Sequence, residues 1–144
     1  MNSEVDFAAG GIVLINNKIL LVKNKLSEEY KDDYSSGFWG YPKGHLNEKE
    51  PPIKAAEREV FEEVGVEVKN ITYFNSQPWP FPASLMLGFT GEAESTDLAV
   101  NTDEIEMAGW FTREKIDLFD GGNFHLPRKL SISRRLIDDW LMKR

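Results

Sequence analysis

The stretch from Pro51 to Gly65, PPIKAAEREVFEEVG, constrains the chain most. Pro51 and Pro52 suit the entry to a helix and Gly65 suits its C-terminal stop. Between them Ile53, Ala56, Val60 and Val64 recur at helical spacing, so a helix is predicted with that stripe against a core. Glu59, Glu62 and Glu63 fall on a separate face about 100° wide, with Arg58 beside it. Like charges three and four apart on a helix repel by roughly 0.2–0.5 kcal/mol per pair. Two readings of this face stand open. It is a solvated, charge-laced surface, or its acids converge on a hard divalent cation such as magnesium, which favours carboxylate oxygens.

The segments around this helix are β-rich. Asn16-Asn17-Lys18 separates Phe7–Ile15 from Ile19–Val22, a hairpin signal. Ser27 to Gly37 is polar and reads as an exposed loop. Phe38 to Tyr41 reads as a short strand leading into Pro42. Further strands are expected near Val66–Asn75, Ser84–Thr90 and Glu106–Phe111, with a short helix over Lys115–Phe119. Ser131 or Ser133 is positioned to cap a last helix in which Ile132, Leu136, Ile137, Trp140 and Leu141 keep helical spacing. Strands interleaved with few helices imply an α/β or α+β sandwich, and 144 residues suit a single domain over 1–144.

Composition narrows the setting. With no cysteine there is neither a disulfide framework nor a thiolate metal site. No apolar run reaches the length of a membrane span, and the N-terminus MNSEVDFAAGG lacks the pattern of a signal peptide, so a cytoplasmic location is expected. A net charge of −7 offers no general positive field to duplex nucleic acid or an anionic membrane. An anionic substrate would need a metal ion or a few placed cations.

The full spacing around the glutamates carries a resemblance. Gly44, five residues, Glu50, seven residues, Arg58-Glu59-Val60, one residue, Glu62-Glu63, one residue and Gly65-Val66 match the Nudix box at every defined position. A chance match at a given start is on the order of one in 10⁹ at ordinary residue frequencies. The chain therefore resembles the Nudix hydrolases. The resemblance implies an α/β fold, an α/β/α sandwich with a mixed β-sheet and a loop–helix–loop metal site. It makes Glu59, Glu62 and Glu63 ligands of Mg2+ or Mn2+, with Glu62 and Glu63 also candidate water-activating acids. It makes Arg58 the brace of the carboxylates, and Gly44 and Gly65 the turns at either end of the box.

A second stretch bears on the substrate. Ser76-Gln77-Pro78-Trp79-Pro80-Phe81-Pro82-Ala83-Ser84 reads, from its residues, as a rigid proline-rich loop with aromatics packed on the core. It also resembles the SQPWPFPxS motif of the NADH pyrophosphatases, at that family's distance from the box. This implies Gln77, Trp79 and Ser84 as substrate-side residues; an aromatic wall stacking a base or nicotinamide gains about 1–3 kcal/mol. Asp103-Glu104-Ile105 followed by Trp110 to Glu114 resembles the family's closing strand. Glu104 then matches a further metal ligand, its other reading being an exposed acid beside a turn. Leu126 through Trp140 resembles the last helix.

Three departures stand beside this. The larger family members carry an N-terminal domain and a four-cysteine zinc ribbon, absent from this sequence. His45 stands where an aromatic is common. Trp39 to His45 looks more like the diadenosine and diphosphoinositol polyphosphate hydrolases. His45 has three open roles: bonding a phosphate, stacking a ring or satisfying a loop. Lys43 is a candidate phosphate contact or an ordinary exposed lysine, and His125 has no supporting constellation. The expected function is metal-dependent hydrolysis of NADH or NAD+ to AMP and nicotinamide mononucleotide. The alternatives are a diadenosine polyphosphate hydrolase and a non-catalytic nucleotide-sensing domain. The expected partner is a small nucleotide, with neither membrane nor duplex nucleic acid. NAD-capped RNA is a larger candidate substrate, and a homodimer is implied by the resemblance alone.

Overall fold

Two asparagines start the sheet. The computed structural model describes residues 6–25, 39–80, 83–119, 125–127, 129 and 131–143. In it β1 (Asp6–Ile15) and β2 (Lys18–Asn24) turn on Asn16 and Asn17, with φ of 49° and 62°. Those angles suit the type I′ turn that matches strand twist, and asparagine adopts them at low cost. The two strands pair only next to the turn, at Leu14↔Ile19 and Ile15↔Lys18. Beyond it they splay, and the chain from Trp39 to His45 enters the opening. There β3 (Trp39–Gly40) pairs with β2, and β4 (Lys43–His45) pairs with β1.

Among the described residues the remaining strands complete a mixed, seven-stranded sheet. β6 (Ala83–Ala93) runs parallel to β1, β5 (Val68–Pro80) antiparallel to β6, and β7 (Ile105–Phe111) antiparallel to β2. The helices are α1 (Pro52–Val64), α2 (Arg113–Phe119) and α3 (Ile132–Met142). Alternation along β2 assigns the two faces. Ile19 and Leu21 join Trp39, Tyr41, Phe111 and the α3 residues Ile132, Leu136, Ile137 and Trp140. Leu20 and Val22 join Val60 and Val64 of α1. A strand buried on both faces must be apolar throughout, which explains the run Ile-Leu-Leu-Val. Each such side chain contributes about 1.5–3 kcal/mol by burial. Helices on both faces make the α/β/α sandwich. No described helix is long and apolar enough to cross a membrane.

Several expectations shift in detail. Ile53 is 39% exposed, and Ala55 is fully buried in its place, so α1 is rolled from the expected stripe. The reason is a two-sided seat: Ala56, Val60 and Val64 meet the sheet, while Ala55, Glu59 and Glu63 form a second row at i, i+4 and i+8. Gly44 lies in β4 and has no positive φ, so it is not a turn residue. Gly65 is one, with φ 72° and its N–H donated to the Phe61 carbonyl. Ser76 to Pro80 continues β5 as strand, since β6 pairs with it through Pro80↔Ala83. Ser131, not Ser133, caps α3, its Oγ accepting from the Arg134 N–H. The polar segment Ser27 to Gly37 lies outside the described residues.

Candidate active site

The end of α1 dictates where the acids gather. A helix leaves its last carbonyls unpartnered; here the following chain supplies the donors. Ala99 N–H bonds the Val64 carbonyl and Asn101 N–H bonds the Glu63 carbonyl, each at 2.8 Å. The Asn101 carbonyl then accepts the N–H groups of Glu104 and Ile105, and the Glu104 carbonyl accepts from Lys25 of β2's outgoing end. Glu104, exposed and far along the chain, is thereby fixed beside Glu59 and Glu63. Its negative charge raises the proton affinity of both.

Arg58 is the hub. Its Nε and one terminal nitrogen grip both Glu50 oxygens at 2.8 and 2.9 Å, and that nitrogen also donates to the His45 carbonyl at 2.9 Å. The other terminal nitrogen reaches Glu59 and Glu62, each at 2.9 Å. A planar fork of five donors suits this task, and lysine does not. Arg58 holds the Glu50 carboxyl below its ordinary range, with help from the Asn47 N–H. Glu50 in turn raises the affinity of Arg58 for its proton. Arg58 thus bonds three carboxylates of the box. Its bidentate partner Glu50 was visible in the box spacing, and the Asn47–Glu50 turn was its local signal; sequence reasoning gave neither a role.

Glu59 lies against β4. A Cβ on Gly44 would fall 2.2–2.4 Å from the Glu59 carboxylate, so only glycine leaves that carboxylate its place. Burial, above all, raises the Glu59 pKa, opposed by Arg58.

Glu63 is the most perturbed acid. It is 4% exposed, accepts from the Lys43 N–H, and has no hydrogen-bond partner for Oε2 among the described residues. Burial first, then the charges of Glu59 and Glu104, push it up to about 8, against the pull of Lys43. An orphaned, buried carboxylate oxygen facing two further acids is costly by itself and is what a hard cation satisfies. The donor set therefore fits a divalent ion. As they stand, no three acid or histidine side chains among the described residues are already closed into a binding group. Glu62 is directed to Arg58 instead, its side chain 56% exposed.

The expected substrate-side residues divide in two. Lys43 and His45 belong to β4; the Lys43 ammonium sits 5.9 Å from the centre of the Tyr41 ring, and His45 is exposed. Gln77 belongs to β5, and its Oε1 accepts the Ile132 N–H at 2.7 Å. Trp79 and Ser84 are backbone partners across β5 and β6; their side chains, with residues 81 and 82, lie outside the described set. Sheet register relates the groups: His45, Ala8, Met86 and Gln77 occupy one row. Three inter-strand steps separate His45 from Gln77, about 14 Å. Trp39 and Tyr41 are core residues, Trp39 set edge-on to Phe111 at 5.2 Å. His125 contributes its backbone carbonyl to the Trp39 N–H.

Known proteins resemble this chain in sequence and in fold. The family model described as "NUDIX domain" matches residues 6–131. A "NAD-capped RNA hydrolase NudC" from Pseudomonas aeruginosa is 49% identical over 87 residues, covering 60% of this chain and 29% of the relative. Another from Deinococcus radiodurans is 44% identical over 98 residues, covering 68% and 32%. "NAD-capped RNA hydrolase NUDT12" of Macaca fascicularis is 41% identical over 102 residues, covering 68% and 22%. The chain thus spans about a third or less of these relatives. Among solved structures, a NUDIX hydrolase from Nitrosomonas europaea superposes with a TM-score of 0.79 at 19% identity, covering 100% of this chain and 74% of the other. A MutT NUDIX hydrolase from Burkholderia pseudomallei gives 0.68 at 23%, covering 97% and 98%. Both likenesses concern the fold.

Proposed function

The chain belongs to the NUDIX domain family, and on that premise we propose that it is a metal-dependent pyrophosphohydrolase of NADH or NAD+, releasing AMP and nicotinamide mononucleotide. The observation that carries the reading is Glu63: a buried carboxylate oxygen beside Glu59 and Glu104 with no hydrogen-bond partner among the described residues. Glu59, Glu63 and Glu104 would hold Mg2+ or Mn2+. Such an ion supplies neutralisation of phosphate charge and a bound water of lowered pKa. Arg58 fixes Glu59 and Glu62 from behind. Glu62, with Oε2 engaged, offers Oε1 to the proton of the attacking water. The water oxygen bonds to phosphorus, the P–O–P bridge breaks, and the leaving phosphate oxygen stays with the departing mononucleotide. Lys43, beside Glu63, supplies a local cation for the substrate phosphates on an acidic protein.

The substrate class is supported by the Ser76–Ser84 motif and by the names of the relatives. NAD-capped RNA contains the same dinucleotide. The competing diadenosine reading leaned on Trp39 to His45, but Trp39 and Tyr41 are explained by core packing. A panel of NADH, NAD+, NAD-capped RNA and diadenosine tetraphosphate, with Mg2+ or Mn2+ and products separated by chromatography, tests the reading. AMP and nicotinamide mononucleotide are the expected favoured products, and nothing should turn over after chelation. Faster release of ATP and AMP from diadenosine tetraphosphate would overturn the substrate assignment.

A further inference from the structure

The geometry points to Gln77 as a positioning residue that ties the substrate-side strand to α3, rather than as a contact to the nucleotide. This rests on the proposed dinucleotide reading and sharpens it. The first turn of α3 carries N–H groups with no partner inside the helix. Ser131 Oγ takes the one from Arg134, at 3.1 Å. Gln77, from a strand 55 residues earlier, takes the one from Ile132 at 2.7 Å. A side-chain oxygen at a helix N-terminus is also favoured by the helix dipole.

Register makes this tie part of a seat. Gln77 stands opposite Met86, and Gly88 lies two residues along the same face of β6. Met86 packs against the cluster that contains Ile132 and Leu136. A Cβ on Gly88 would come within 2.9 Å of Leu136 Cδ1 and 3.0 Å of Ile132 Cδ1. The helix thus rests directly on bare backbone at Gly88 while Gln77 fixes its first turn. Ile132 makes both contacts, so α3 cannot slide along the sheet without breaking the Gln77 bond.

The same side chain holds the strand. Gln77 is two residues before Trp79, on the part of β5 that pairs with Ser84. Pro78 and Pro80 remove backbone donors from this stretch, so it has fewer ladder bonds to define it. A side-chain anchor offsets that shortage. With Gln77 in place, the motif strand and α3 move as one wall, and loss of the anchor loosens substrate binding before it touches the metal-site chemistry.

The test compares Gln77→Glu, which keeps an acceptor, with Gln77→Met, which keeps the shape without one. Two readouts are taken on the full chain: hydrogen-exchange protection of the Ile132 amide, and KM and kcat on whichever panel substrate the wild type cleaves best. Gln77→Met should lose the amide protection and raise KM about threefold to tenfold, the worth of one hydrogen bond, with a smaller change in kcat. Gln77→Glu should hold the protection and lie near wild type in KM. If Gln77→Glu keeps the protection but matches the KM defect of Gln77→Met, the side-chain amide touches substrate and the inference fails. If Gln77→Met loses protection with KM unmoved, the tie is structural only and the inference also fails. The identity of the wild type's best substrate judges the dinucleotide reading separately.

Discussion

Glu63 shows what a single residue gives up for a site. Its pKa is raised to about 8 by burial and by the Glu59 and Glu104 charges. A carboxyl with a raised folded-state pKa favours the fold fully below its unfolded value, near 4.5, and that favour is lost as pH rises towards 8. Glu59 shifts in the same direction. The metal-free chain should therefore show a falling Tm between those two pH values, and Glu63→Gln should flatten the fall. Below pH 4.5 the two proteins should melt alike. With Mg2+ or Mn2+ present the order should reverse at high pH, since the variant lacks a ligand, and its turnover should be nearly abolished. Parallel melting curves for the two proteins across the whole range would show that Glu63 stays ionised without cost, against the geometry. That the three glutamates share one helix face was legible in the sequence because helical spacing puts them within one turn. Their proposed chemistry came from the resemblance, since spacing alone left a solvated face open as well. Glu104 was placed only by resemblance: its position depends on hydrogen bonds from Asn101 to the helix end, which no local spacing encodes.

At the scale of elements, the two glycines of the box do different work and should fail differently. Gly65 is left-handed, with φ 72°, and a Cβ there would meet Ala99 Cβ at 2.8 Å. Gly65→Ala should cost about 1–2 kcal/mol from backbone strain alone, read as a lower Tm. Gly44 is an ordinary strand residue, and the obstacle to its Cβ is the side-chain end of Glu59 rather than backbone. Gly44→Ala should leave Tm nearly unchanged yet displace the Glu59 carboxylate, costing on the order of 10²-fold in kcat/KM. A Gly44→Ala variant with full activity would dissociate Glu59 from the reaction. The legibility of the elements follows the same division. Helix α1 could be read because its proline entry and glycine stop are local signals. The strand β4 could not, since Pro42-Lys43-Gly44 looks like a turn until the splayed β1 offers it partners. The extension of β5 through Ser76–Pro80 was hidden likewise: prolines argue against strand, and only β6 overrides them. The roll of α1 that exposes Ile53 followed from a second packing surface, Gly44, invisible to a one-stripe analysis.

For the molecule as a whole, apolar segments announced a layered α/β chain, but the parallel pairing of β1 with β6 joins residues some eighty positions apart and had no sequence signature. Charge, in contrast, is a whole-molecule property that the sequence states outright. Seventeen lysines and arginines face 24 aspartates and glutamates, a net −7. The site adds to this: Glu50, Glu59 and Glu62 bond one guanidinium, Glu104 acts on Glu59 and Glu63, and Lys43 is the cation that acts on Glu63. A strand of RNA binds a protein chiefly by releasing counterions to lysine and arginine contacts, each adding about 0.7 to the slope of log affinity against log salt. On the proposed reading, a chain of this charge would grip a 5′-terminal dinucleotide through a bound divalent ion and a few residues, with little electrostatic gain along the strand behind it. Lengthening the RNA attached to an NAD cap should therefore leave kcat/KM level or lower, relative to NADH. Its dependence on monovalent salt at fixed Mg2+ should stay shallow, with a slope of about one or less. The measurement is kcat/KM for caps carrying progressively longer strands over a salt series. A rise with strand length together with a slope of about three or more would reveal an RNA-binding track that overrides the net charge.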